Sequence, residues 1–173
     1  MYSESVLIRI DGIHPVPKGN SGRIVRAGKF PRLIPSKRAM DCQKILTPEL
    51  AKHVRGAPFE GPVRRNVVFT LAISPSWPKW KKAAAADLRF LPAGGGRTPD
   101  CGNLLKLLDD CLEASGLIFN DSQIIGGESW KVYGPTPGYL ICLEPLAQAD
   151  RTESGRPLAG WFDGLDAPPL SLP

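Results

Sequence analysis

Apolar residues along this chain recur with two periods, and the change from one to the other marks where strands give way to helices. Residues 6–10 (VLIRI), 63–73 (VRRNVVFTLAI) and 139–143 (YLICL) are short apolar runs, the second rich in β-branched side chains; all three predict strands. Residues 123–125 and 130–133 are shorter candidates of the same kind, and Gly126-Gly127 between them predicts a bulge or a tight turn. Residues 36–54 switch to helical spacing, with Ala39, Met40, Ile45, Leu46, Leu50 and Ala51 apolar. Inside that stretch, Thr47-Pro48 reads as an N-cap followed by proline at the first helical position, which predicts two helices with a break near Leu46. The most regular helix covers residues 101–115. Leu104, Leu105, Leu108, Cys111 and Leu112 form its apolar face, Asp100 after a proline can cap its start, and Gly116 supplies its stop.

The stretches between these elements carry their own patterns. Residues 14–23 (HPVPKGNSGR) hold Pro15, Pro17 and Gly19, which predict a loop. From Lys18 to Arg38 there are seven basic residues (Lys18, Arg23, Arg26, Lys29, Arg32, Lys37, Arg38) and no acidic one. Like charges without counter-charges repel, so the stretch is either a solvated basic loop or a surface for a polyanion. Residues 74–99 make a long insertion by ordinary loop lengths, in which Trp77 and Trp80 alternate with Lys79, Lys81 and Lys82. Such interleaving fits a short amphipathic helix that lays its tryptophans on the core, and equally fits base stacking with phosphate pairing. After residue 146 the chain is rich in Pro, Gly, Asp and Ser and is expected to be a loosely ordered tail.

Composition narrows the class. At 173 residues, 42% hydrophobic and 23% charged, the chain is one globular domain's worth. No apolar run approaches the length of a membrane span and the N-terminus lacks a basic, then apolar leader, so a cytoplasmic protein is expected. Cys42, Cys101, Cys111 and Cys142 show no C-x-x-C pairing and only His14 and His53 could join them, which leaves a structural zinc site little support. Net charge is +5, and its distribution is uneven. Residues 1–145 carry 20 basic against 13 acidic side chains, whereas residues 146–173 carry 2 against 4. A basic body with a mildly acidic tail suits a polyanionic partner.

Candidate chemistry concentrates in residues 97–131 (RTPDCGNLLKLLDDCLEASGLIFNDSQIIGGESWK). Asp100, Asn103 and Lys106 stand three apart, and Asp121 follows one helix and one turn later. Mg²⁺ and Mn²⁺ take oxygen ligands, and phosphodiester cleavage commonly uses such ions to activate water and neutralise the leaving oxygen. A lysine near Asp100 could hold a phosphate or stabilise developing charge. For both acids to share one cleft, the chain after the helix must fold back beside it. The same residues also fit a plain structure in which Asp100 is an N-cap, Asn103 and Lys106 are solvated and Asp121 closes a turn. Spacing alone does not separate the two.

The register of the whole stretch resembles the RusA family of Holliday-junction resolvases. That family's signature runs R-P-D-x-D-N-x-x-K, then D-x-L, a small residue with Gly, and D-D-x-Q-V. This chain shows Arg97-Thr98-Pro99-Asp100-Cys101-Gly102-Asn103, then Lys106, Asp110-Cys111-Leu112, Gly116 and Asn120-Asp121-Ser122-Gln123-Ile124-Ile125. Lys131 falls where the family tends to place a lysine, and the first strand followed by Pro15-Val16-Pro17-Lys18 looks like the family opening. The resemblance implies an α+β fold, a mixed β-sheet with packed helices in a single domain over residues 1–145. It also implies a homodimeric endonuclease that cuts four-way DNA junctions with Mg²⁺ or Mn²⁺, acts in recombination and repair, and is often carried by phages or prophages.

Carried over by position, Asp100 and Asp121 are metal ligands, Lys106 is the catalytic-site lysine and Asn103 supports the site. The basic residues Lys18, Arg23, Arg26, Lys29, Arg32 and Lys131 are the expected DNA contacts. Two positions depart from the pattern. Asn120 replaces an aspartate, and Gly102 replaces the second aspartate of D-x-D and brings no ligand. Glu128 stands an odd number of residues from Asp121, so it compensates only if the Gly126-Gly127 bulge shifts strand parity. The expected activity is therefore a metal-dependent junction endonuclease impaired at Gly102; the alternative is an inactive relative that binds branched DNA.

Overall fold

The computed structural model describes residues 4–19, 36–93 and 98–146, together with the backbone of 23–27 and 30–34. The expected tail, Arg97 and Lys29 lie outside the described residues. In chain order the elements are β1 (Val6–Asp11), β2 (Arg23–Ala27), β3 (Phe30–Ile34), α1 (Lys37–Ala51), β4 (Val63–Ala72), α2 (Lys79–Ala86), α3 (Cys101–Ala114), a 3₁₀ turn (Asp121–Gln123), β5 (Ile124–Gly126), β6 (Ser129–Gly134) and β7 (Gly138–Pro145). The five-stranded sheet runs β1-β7-β4, with β5 and β6 both on the far edge of β4. β7 is antiparallel to β1 and β4, whereas β5 and β6 are parallel to β4, so the sheet is mixed and the fold is α+β.

Strand alternation explains the core. One face of the sheet presents Ile8 and Ile10 from β1, Val63, Val67 and Phe69 from β4, and Tyr139, Ile141 and Leu143 from β7. Against it lie Ala39, Cys42, Leu46 and Leu50 of α1 and Leu104, Leu107, Leu108, Cys111 and Leu112 of α3, in one continuous cluster. None of the four cysteines is in a disulfide. No helix among the described residues is long and apolar enough to cross a membrane.

Four expectations need correcting. Residues 36–54 form one helix, not two: α1 starts on a Ser36 cap and continues through Pro48 to Ala51. Its buried positions, at spacings of three, four and four, run straight through the proline, and Leu46 and Leu50 are fully buried. A proline inside a helix costs roughly 3 kcal/mol, while burying each leucine returns about 1.5–3 kcal/mol, so packing on α3 outweighs the local break. In α3 the buried stripe uses Leu107, with Leu105 only half-buried. Both lie near the edge of an apolar arc whose centre is set by the sheet and not by the helix alone. The stretch read as a basic loop contains a two-stranded hairpin, β2 pairing β3 from Arg23↔Ile34 to Ala27↔Phe30. Its arginines hid the strand pattern, because they interrupt apolar alternation. Gln123 belongs to the 3₁₀ turn, and the strand begins at Ile124.

The glycine pair behaves as expected. The β4–β5 register shifts at Val63 and Arg64, and Gly127 has φ +132° with its α-carbon tight against β4. A β-carbon there would stand 1.9 Å from the Arg65 carbonyl oxygen, so only glycine permits the bend from β5 into β6.

Candidate active site

The start of α3 is built from local bonds. Pro99 precedes it and Asp100 holds an extended backbone, so its side chain turns back over the first helical turn. Asp100 Oδ1 accepts the backbone N–H of Asn103 at 2.7 Å, and Asn103 Nδ2 donates to Asp100 Oδ2 at 2.6 Å. The backbone N–H of Asn103 is the main cause that holds the exposed Asp100 carboxyl below the usual carboxylate range; the Asn103 amide and the charge of Lys106 act the same way. Lys131, on β6 opposite Phe69, reaches across and donates to the Pro99 carbonyl at 2.8 Å. The proline-rich loop is pinned to the same helix, since the Lys18 backbone N–H donates to the Asn103 carbonyl at 2.9 Å.

Gly102 sits on the exposed side of this turn. Among the described residues, a β-carbon there would touch only Asp100 Oδ1, at 3.4 Å, and its backbone lies outside the left-handed region. Nothing in the conformation calls for glycine, and no described neighbour has filled the place. A side chain at 102 would also face Lys106, four residues on along the same helix.

Asp121 is at the opposite end. Its backbone N–H donates to Glu113 Oε2 at 3.1 Å, and Asn120 caps the 3₁₀ turn through a reciprocal pair of bonds with Gln123. Gln123 Nε2 in turn donates to the carbonyls of Phe59 and Gly61 at 2.9 and 2.8 Å, tying the turn to the entry of β4. Glu113 lies thirteen positions after Asp100, which is about 20 Å along a helix axis. The chain does fold back antiparallel to α3, but only after Asp121, so the return brings Lys131 to Asp100 and leaves Asp121 behind. Glu128 does not take the vacant role: its carboxylate accepts the Trp130 indole N–H at 3.1 Å, and Trp130 lies opposite the outward-facing Val68.

Two acids in the C-terminal half of α3, Asp109 and Asp110, are engaged by cations. Asp109 pairs with the buried Arg65 of β4, and Asp110 pairs with the Lys18 ammonium. Burial pushes the Asp109 carboxyl up against the pull of Arg65, and the charges of Asp121 and Asp110 push the same way. Arg65 was missed in the sequence, although strand parity could have found it: it shares the buried register of Val63, Val67 and Phe69 and therefore needs an acid on the packed helix.

The family model for endodeoxyribonuclease RusA matches residues 12–144, which include both ends of α3. The chain belongs to the RusA endodeoxyribonuclease family. No curated protein matches the chain. Of the residues aligned with the RusA pattern, the fold brings together Asp100, Asn103, Lys106 and Lys131, and anchors the backbone of Asp121 on Glu113 toward the other end of α3. Among the described residues no three His, Cys, Asp or Glu side chains form a group able to hold a metal ion. Within one chain, the described residues therefore do not by themselves make a ligand set for a divalent cation. Of the expected DNA contacts, Lys18 is engaged by Asp110 and Lys131 by Pro99. Arg23 and Arg26 lie on β2 and Arg32 on β3, with only their backbone described.

The tryptophans of residues 74–99 divide. Trp77 packs edge-on against Phe90 and Tyr133, at 5.5 and 4.8 Å between ring centres, with the Lys81 ammonium 4.1 Å over its face. Trp80 is 68% exposed.

Proposed function

We propose that this RusA-family protein acts on four-way DNA junctions as a homodimeric, metal-dependent endodeoxyribonuclease of reduced turnover. The observation that supports this reading is the exposed Asp100–Asn103 pair at the start of α3, with Lys106 beside it and an open place at Gly102. Asp100 is ionised and oriented by Asn103, so it is prepared as an oxygen ligand. Lys106 supplies a cation for a strand phosphate or for charge developing on it. Mg²⁺ or Mn²⁺ belongs to the reading, but the described residues of one chain do not by themselves make a ligand set for it. In a homodimer, Asp100 of one copy can stand beside the partner's Asp121, and both acids then serve one centre.

The loss of a carboxylate at Gly102 favours a second reading, a protein that binds branched DNA without cutting it. A labelled four-way junction incubated with purified protein and Mn²⁺ separates the two. Symmetric nicks support the nuclease; tight binding with no nicks at any Mn²⁺ concentration supports the binder; equal affinity for junction and plain duplex sinks both. Gly102→Asp sharpens the result, because cleavage that appears only in that variant assigns the native chain to binding. The dimer is tested by mixing Asp100→Asn with Asp121→Asn in the Gly102→Asp background. A shared site restores cleavage in the mixed dimer, whereas sites contained within single chains stay dead.

A further inference from the structure

A cavity of about 450 Å³ opens beside Pro99, the residue before Asp100, between the proline-rich loop, the start of α1, the ends of β4 and β6, and the approach to α3. Its lining includes His14, Arg38, Leu71, Ala72, Pro99 and Tyr133. The link to the candidate active site is covalent and short. Pro99 forms one wall and is the residue before Asp100, and its carbonyl holds Lys131. Tyr133 lies two residues past Lys131 and so on the same side of β6.

The cavity has the make-up of a site for a flat, partly polar group. Prolines, Leu71 and Ala72 give apolar walls. Tyr133 is held by Phe90, stacked at 6.0 Å and 18°, and by Trp77 edge-on, so its ring is a braced part of the cavity wall. Burial pushes the Tyr133 hydroxyl up, so it keeps its proton and can donate as well as accept. Arg38 and His14 are the charged or chargeable lining groups, and no carboxylate lines the cavity among the described residues. Few convergent polar groups on apolar walls, at this volume, fit a ligand of nucleoside size and not a duplex. The cationic rim selects one that carries a phosphate.

We propose that this cavity takes a single nucleotide everted from the strand beside the branch point of a DNA junction, its base against Leu71 and Tyr133 and its phosphate on Arg38. The proposal rests on the junction reading above and adds to it a place where base identity is sensed. Eversion costs least where stacking is already interrupted, and a branch point is such a place.

The test uses the full chain and four-way junctions carrying 2-aminopurine at each position flanking the branch point, in buffer without divalent cations. In the wild type, one position should brighten on binding as its base leaves the stack. Ala72→Phe, which fills the cavity, should abolish that rise, and both Ala72→Phe and Arg38→Ala should lower junction affinity by about tenfold while leaving duplex affinity unchanged. Junction binding with no brightening at any flanking position overturns the proposal, as does brightening that persists in folded Ala72→Phe. If Ala72→Phe does not fold, Arg38→Ala decides, because unchanged junction affinity overturns the assignment of the phosphate. Wild-type protein that fails to bind junctions at all overturns the functional reading first, and this one with it.

Discussion

The two ends of α3 carry acids of opposite character. At the N-terminal end, Asp100 is exposed, ionised by a backbone N–H and an amide, and faces no buried partner. Toward the C-terminal end, Asp109 and Asp110 are tied to Arg65 and Lys18, and the ties hold the helix to β4 and to the proline-rich loop. An acid bound only by groups of its own helical turn remains open to a ligand; an acid that neutralises a buried cation is part of the core. Both kinds occur within one helix of 14 residues, so counting carboxylates does not locate a site.

The largest effect that would sharpen this contrast is expected at Asp109. Asp109→Leu takes both the acceptor and the counter-charge from the buried Arg65 guanidinium and should destabilise the fold by about 3–5 kcal/mol, read from urea unfolding. The double variant Arg65→Met, Asp109→Leu should recover most of that loss; if the single variant unfolds like wild type, the core role of the pair is wrong. Asp100→Ala should lower the urea midpoint by much less, because only one cap is lost, yet abolish any Mn²⁺-dependent cleavage. Equal destabilisation at both ends would break the comparison.

Gly102 gives a smaller effect of opposite sign. Gly102→Ala should stabilise the protein by about 0.5–1 kcal/mol, since helical glycine has no conformational justification here. Gly102→Asp should gain less without cation, because its carboxylate meets Asp100, and should gain thermal stability on adding Mn²⁺. A melting temperature indifferent to Mn²⁺ in that variant would remove position 102 from the ligand set.

The smallest effect is in pH. Asp100 and Asp109 should titrate on opposite sides of the ordinary value of 3.8. The Asp100 contribution is complete above 3.8 and is lost as pH falls through its depressed pKa. Asp109 runs the other way: its folded state favours the proton, and the stability this adds at low pH is lost as pH rises from 3.8 through its raised pKa. Carboxyl-carbon NMR resonances of the two residues should move in separate ranges, and coincident transitions would erase the difference.

Much of this was legible in the chain itself. Short apolar runs marked β1, β4 and β7, and the 3.6-residue period with Asp100 and Gly116 at its ends marked α3, because strand composition and helix caps are local properties. The family register from Arg97 to Lys131 and its fault at Gly102 were equally local, since motif spacing is a property of the chain. Tertiary structure decided the rest. The continuity of α1 through Pro48 depended on burial of Leu46 and Leu50, and the split between Trp77 and Trp80 depended on where Tyr133 lies. Above all, the separation of Asp100 from Asp121 followed from the point at which the chain turns back. One helix of rise, about 20 Å, separates Asp100 from Glu113, the residue that anchors the backbone of Asp121, and only the packed direction of the chain determines which groups meet along it.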